Sequence, residues 1–457
     1  MNSKRLRIPW DSPCDFLALH AKHPAFFPGL LESVAQSSGT GRFDILFAAP
    51  AERLVLDQEG LSGPFSSSAA GFLDALDAWA NDARAQDAQH ADLPFISGWL
   101  IFLAYELLAE CEPRVPVSPD PSGLPVACAL RCQGAVVREH ATGRIWVVAD
   151  DPRSLSDIER RLQAASVPLP VAELPPVDAV EIEDAARLKE SLARIHDYIL
   201  AGDVFQVNLS RGWSITYQLP LEPAAVYRRL RDSNPGPFAG LFRQDDWAVI
   251  SSSPERLVKV EDGWIETRPI AGTRRRDLDA DRDDDLQAEL MAHPKERAEH
   301  VMLIDLERND LGRLCEPGSV EVNDLMVLES YAHVHHIVSN VRGRLRPGIS
   351  AGRGIAATFP GGTITGCPKV RCMEIIQELE PAGRGAYTGA LGYLDTDGRM
   401  DLNILIRTIV TRNNEVRFRA GAGIVADSDK DAEVREMQAK ARGLLLALGL
   451  DPDLGVS

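Results

Sequence analysis

The sequence predicts an α+β fold built on large antiparallel β-sheets. Hairpin signals dominate: alternating apolar runs are joined by Asp262-Gly263, Asp397-Gly398 and Asn413-Asn414. No run of βαβ units appears, which argues against a doubly wound parallel sheet. There is no internal repeat and no low-complexity run.

Residues 42–50 (RFDILFAAP) and 144–150 (RIWVVAD) read as strands bounded by turn residues. Residues 69–86 carry apolar side chains at helical spacing. The most apolar window, 98–108, is too short to span a bilayer and contains Glu106, so it reads as a buried strand. Prolines 168, 170, 175 and 176 mark 151–184 as a linker with one short helix, dividing a lobe at 1–150 from a larger domain at 185–450. In the larger domain, 184–203 reads as a helix ended by Gly202, and 204–217 as a strand. Residues 247–276 suggest two or three strands in a meander. Residues 295–314 suggest a helix and 333–345 a strand. Pro368 and Pro381 bracket another helix. Residues 386–428 alternate like three antiparallel strands, and 430–449 form the closing helix.

The chain has 457 residues, 49 Lys+Arg and 67 Asp+Glu, for a net charge of −18. That balance disfavours nucleic acid and anionic membrane as partners, but not a small anion in a locally basic cleft. Seven cysteines without zinc spacing, and a charged start at 1–13 with no apolar run, lead to the expectation of a reducing cytoplasm.

The segment GGTITGCPK (361–369) fails as a phosphate loop, because Cys367 and Pro368 stand where Lys and Ser/Thr are needed. Gly421 and Gly423 end a strand, either to let backbone N–H groups approach a carboxylate or simply to turn. Glu433, Glu436 and Lys440 share a helix face, and Glu436–Lys440 has ion-pair spacing. Glu299 lies on another predicted helix, and two such carboxylates suit Mg²⁺ with its waters. His333 and His335 fall on one strand face and His336 on the other; the bland reading has one face in solvent and one histidine satisfied in the core. Arg407 and Lys369 sit beside apolar runs and call for anionic partners.

Taken in order, FQVNLS, SSPERL, TRPIAGT, RAEHVMLIDLERNDLGR, HHIVS, FPGGTITGCPKVRCMEIIQELEP, AYTGALGY, ILIRT and GAGIVADS resemble the chorismate-utilising enzyme family over about 30–448. The resemblance implies antiparallel sheets packed as a sandwich with helices outside, as in anthranilate synthase component I. It also implies a chorismate-binding catalytic domain behind an N-terminal lobe. Gln206 stands where water-using members carry lysine, so the implied nucleophile is ammonia from a glutamine amidotransferase partner.

Roles follow by the same resemblance. Glu299 and Glu436 would hold Mg²⁺ on the ring carboxylate. Arg407, Lys440 and the backbone at Gly421, Ala422 and Gly423 would grip the carboxylates. Gly272, Thr273 and Tyr387 would line the ring, with His336 near the leaving group. Glu255 would be the general acid or base for departure of the 4-hydroxyl. A tryptophan pocket would be lined by Ser33, Arg42, Phe43, Pro237 and Phe238.

Two ammonia-using branches are implied. GRFDILFAAP, NPGPFAGLF and FPGGTITG resemble the aminodeoxychorismate synthases of folate biosynthesis, a transferase activity. LLES (30–33) resembles the anthranilate synthases of tryptophan biosynthesis, a lyase activity. Ala271 points the same way, because it occupies the position of a lysine nucleophile in one form of the aminodeoxy enzyme. The segments favour amination at C4. A non-catalytic paralogue would be expected to lack the metal carboxylates, and Glu299 and Glu436 are both present.

Overall fold

The computed structural model describes residues 5–35, 41–84, 92–163, 173–277, 279–331 and 334–455. Its organising feature is a pair of long strands, Phe43–Asp57 and Ala127–Glu139, that run antiparallel and serve two sheets. The first strand turns at Ala49, which has φ 53°, and its register shifts between Pro50 and Arg53. This irregularity lets the two halves of each strand diverge.

One half continues through Gly29–Glu32, Phe238–Gln244, Trp247–Ser253, Thr408–Arg412, Glu415–Ile424, Gln206–Tyr217 and Val177–Ile182. The other continues through Gly98–Leu103, Ala390–Asp395, Met400–Ile404, Arg256–Glu261, Trp264–Arg268 and Val334–Arg344. Ile270–Arg275 and Glu321–Ser330 both pair with Val334–Arg344. Every pairing is antiparallel. Strands from 1–150 and from 185–450 therefore share hydrogen-bond ladders.

Period-two alternation sorts side chains between layers. Ile45, Phe47, Leu100 and Phe102 meet Phe242, Val249 and Leu391 in the core between the sheets. Leu46 and Ala48 point the other way, toward the helices Pro223–Ser233 and Lys430–Ala447. Trp99, Ile101 and Leu103 point toward Phe72–Asp82 and Ala351–Thr358. The result is the expected sandwich with helices on both outer faces. No helix among the described residues is long and apolar enough to cross a membrane.

Several expectations need correction. The strand in 98–108 stops at Leu103, and Tyr105–Leu107 forms one turn of 3₁₀ helix. Glu106 lies in that turn, where its buried carboxyl accepts the N–H groups of Arg384 and Gly385 at 2.8 and 3.1 Å. The linker contains the helix Pro152–Gln163 and also the strand Val177–Ile182. Residues 247–276 hold four strands, and so do 386–428. In the latter the extra break is at Arg407, whose φ of 53° ends one strand and starts the next. The helix expected over 69–86 is described as Phe72–Asp82, and residues 85–91 lie outside the described residues.

Candidate active site

The strands Gln206–Tyr217 and Glu415–Ile424 form one wall, with Gly421 opposite Ser210, Ala422 opposite Leu209 and Gly423 opposite Asn208. A Cβ on Gly421 would overlap the Tyr387 hydroxyl, and one on Gly423 would overlap Gln206 Nε2. Both glycines therefore let polar side chains lie directly on the backbone. Ala422 points away, into the apolar cluster with Val207, Leu209 and Met437. Gln206 Oε1 and Asn208 Oδ1 are buried without a protein partner. Buried polar atoms rarely stay unsatisfied, so this wall is built to receive a polar ligand.

Lys440, on the last helix, donates to the Gly421 carbonyl at 3.0 Å and pairs with Glu436 at 2.7 Å. The expected i, i+4 pair is thus present, and it is tied to the glycine wall. Arg407 donates to Asn234 Oδ1 at 3.0 Å. Burial lowers its proton affinity, and the negative charge of Glu436 opposes that effect. Burial pushes the Tyr387 phenol up to about 12, so it is a neutral donor at pH 7.

The facing wall is made by Ile270–Arg275 on Val334–Arg344, with a register shift between Ala271 and Thr273. Gly272 fills the irregularity with φ 71°, and a Cβ there would stand 3.0 Å from Glu296 Oε2. Thr273 Oγ1 lies 2.9 Å from His336 Nδ1. Burial, reinforced by the charge of Arg407, pushes His336 down to about 4, so the imidazole is neutral at pH 7. Ala271 is buried opposite Ile337. His335 takes the other face, with its Nε2 at 2.9 Å from Asp283. His333 lies outside the described residues.

Glu255 follows the strand Trp247–Ser253, and its N–H donates to Ser253 Oγ at 3.2 Å. The side chain is buried, and its Oε1 has no protein partner. Burial pushes the carboxyl up to about 7, while Thr363, the Ile270 N–H and Lys440 pull it back. The influence of Lys440 ties Glu255 to the glycine wall, as Arg407 ties His336 to it.

Glu299 is half-buried on the helix Pro294–Gly312, and Glu436 is exposed on Lys430–Ala447. No cluster of three or more His, Cys, Asp or Glu fit to hold a metal occurs among the described residues. Two carboxylates on separate helices nevertheless match the donor chemistry of Mg²⁺, which keeps waters and takes few protein oxygens. Glu436 lies in the field of Arg407 and pairs with Lys440.

The residues expected to line a second pocket lie on neighbouring strands. Glu32 pairs with Ala239 and Leu31 with Ile45, so Ser33 continues beside both Phe238 and Phe43. The Ser33 N–H donates to Asp44 at 3.1 Å, and the Ala35 N–H donates to Gly236 O at 3.2 Å, next to Pro237. The Arg42 guanidinium covers the Phe43 ring at 4.6 Å and pairs with Glu139. A cavity of about 310 Å³ is lined in part by Asp120, Trp213, Arg384, Tyr387 and Arg419.

Asn208, Asn234 and Thr363 enter the site without having been singled out by sequence. The available signal was polarity inside segments otherwise apolar or glycine-rich, FQVNLS and FPGGTITG.

A family model described as chorismate binding enzyme matches residues 32–446. Anthranilate synthase component 1 of Streptomyces coelicolor is 40% identical over 440 residues, covering 92% of this chain and 83% of its own. Aminodeoxychorismate synthase component 1 of Bacillus subtilis is 39% identical over 378 residues, covering 80% of each. Among solved structures, anthranilate synthase component I from Streptococcus pneumoniae aligns with a TM-score of 0.78 at 33% identity, covering 88% of this chain and 92% of its own. Sequence and architecture agree: the chain belongs to the chorismate-binding enzyme family.

Proposed function

We propose that this chain is a Mg²⁺-dependent synthase subunit that aminates chorismate with ammonia from a glutamine amidotransferase partner, giving 4-amino-4-deoxychorismate. The observation that carries the amination is Gln206. A neutral amide with an unpartnered Oε1 stands on the wall, with no lysine there to activate water. An amide oxygen can accept a hydrogen bond from ammonia and orient its lone pair.

Arg407, Lys440 and the backbone around Gly421–Gly423 hold the two substrate carboxylates. Tyr387 donates from its phenol, and Thr273 fixes the neutral His336 at the ring edge. Glu299 and Glu436 would hold Mg²⁺, which would supply charge stabilisation at the ring carboxylate. Glu255, with a pKa near neutrality, gives its proton to the 4-hydroxyl oxygen as the C4–O bond breaks. Water leaves, ammonia forms the C4–N bond, and the new ammonium returns a proton to Glu255. Ala271 offers no amine, so no covalent adduct forms at that position.

The choice of C4 rests on the segments at 42–50, 234–242 and 359–366. Ala271, and the anthranilate synthase names borne by most of the relatives, favour the second reading, amination at C2 with loss of pyruvate. Product separation after incubation with chorismate, Mg²⁺ and ammonium decides between them. Aminodeoxychorismate without matching pyruvate supports the first; fluorescent anthranilate with one pyruvate each supports the second. We further propose cytoplasmic residence and a bound tryptophan at Ser33, Arg42, Phe43, Pro237 and Phe238. Calorimetric silence with tryptophan, and an unchanged melting temperature for Ser33→Ala, would remove that ligand.

A further inference from the structure

Of the groups assigned to the substrate carboxylates, Arg407 is held in the least ordinary way. Its φ of 53° is a conformation that bulky side chains rarely adopt, so its neighbours must fix it. Other enclosed arginines lie against carboxylates: Arg384 on Glu380 at 2.7 Å, and Arg256 on Asp401 at 2.9 Å. Arg407 has no such close ion pair among the described residues. Its Nη1 donates instead to the neutral Asn234 amide, at 3.0 Å from Oδ1. Glu436 acts on Arg407 by its charge, and is itself paired with Lys440 at 2.7 Å.

Asn234 is fixed from three sides. It ends the helix Pro223–Ser233, its N–H donating to the Leu230 carbonyl at 2.9 Å. Its own carbonyl accepts from Ser252 Oγ, and the Ser252 N–H donates to the Arg407 carbonyl at 3.1 Å. One strand residue thus ties both backbones. On the third side, a Cβ on Gly443 would stand 2.9 Å from Asn234 Cβ, and Ser233 Oγ donates to the Gly443 carbonyl at 2.9 Å. Gly443 lies on the helix that carries Glu436 and Lys440. A helix end, a strand and the closing helix therefore locate the amide whose oxygen meets Arg407. A neutral acceptor takes up one guanidinium donor and none of the charge, leaving the other N–H groups for a ligand. A carboxylate at position 234 would put a competing anion in the same place.

We propose that Asn234 is a positioning residue for Arg407: its amide fixes the guanidinium at the anion site and leaves the cation uncompensated for a substrate carboxylate. This rests on the reading of Arg407 as a chorismate contact. Asn234 acts through Arg407, so its contribution to substrate binding exists only while the guanidinium is there.

A double-mutant cycle tests this, with chorismate affinity read by calorimetry at fixed Mg²⁺ in Asn234→Ala, Arg407→Ala and the double variant. Asn234→Ala is expected to weaken binding about fivefold or more in the wild-type background, and less than about twofold where Arg407 is already alanine. A merely structural asparagine would cost the same in both backgrounds. Equal losses in the two, or no loss in either, overturn the proposal. Asn234→Asp keeps the size and shape of the side chain, so it tests the same claim if Asn234→Ala does not fold. It is expected to bind chorismate about tenfold or more weakly at an unchanged melting temperature, because the new carboxylate opposes the substrate's. Wild-type affinity in Asn234→Asp also overturns the proposal. Unchanged affinity in Arg407→Ala alone would refute the anion site itself, and the role of Asn234 falls with it.

Discussion

Gly423 exists because Gln206 Nε2 occupies the place of its Cβ. Gly423→Ala is therefore expected to push the amide aside, which is cheap for a flexible side chain. The fold survives, and KM for ammonium rises more than KM for chorismate in steady-state assays. Glu255→Gln should lower kcat about 10²–10⁴-fold while leaving calorimetric chorismate affinity largely intact, as expected when proton transfer alone is removed. At this scale the sequence was legible through motif and alternation: His335 and His336 do point to opposite faces. Asn208 and Glu307 were not legible. A polar residue in a strand, or an acid in a helix, ordinarily reads as solvent-facing, and only the packing of distant segments buries these two.

Helices and hairpins followed local rules where local chemistry decides. Asp184 caps its helix by accepting the Ala186 N–H, and Asp262-Gly263 turns its hairpin with both residues at positive φ. Features that depend on remote partners, one strand and one helix start, were missed. Val177–Ile182 is mostly exposed and owes its strand form to pairing with Gln206–Tyr217. The helix Phe72–Asp82 starts at Gly71 without a side-chain cap of its own, and its first two N–H groups bond the Glu110 carboxylate. Glu110→Ala should cost about 1 kcal/mol through that lost cap, read by chemical denaturation at unchanged m-value.

Across the molecule, burial raises a set of carboxyls, among them Glu32 and Glu255 to about 7 and Glu106 and Glu307 to about 8. Each binds its proton more tightly folded than unfolded. Stability therefore falls as pH rises from about 4.5 through 8. His20, His300 and His336 are lowered to about 4, so folding loses stability as pH falls from about 6.5 toward 4. The melting temperature should peak near about pH 5–6 and decline toward 8.5, and self-repulsion at a net charge of −18 adds to the alkaline loss. A flat profile from pH 6 to 8.5 would mean that these acids are not buried as described.

On the proposed function, Arg407, Lys440 and the glycine wall form one anion site for chorismate, completed by Mg²⁺. Calorimetric titration of chorismate into wild type and Arg407→Ala, with and without Mg²⁺, tests it most directly. Chorismate binding is expected to strengthen with Mg²⁺. A loss of about 1.5–3 kcal/mol is also expected in Arg407→Ala, the worth of a hydrogen bond to a charged group, at nearly unchanged melting temperature. Equal affinity in the two proteins, or binding indifferent to Mg²⁺, would contradict it.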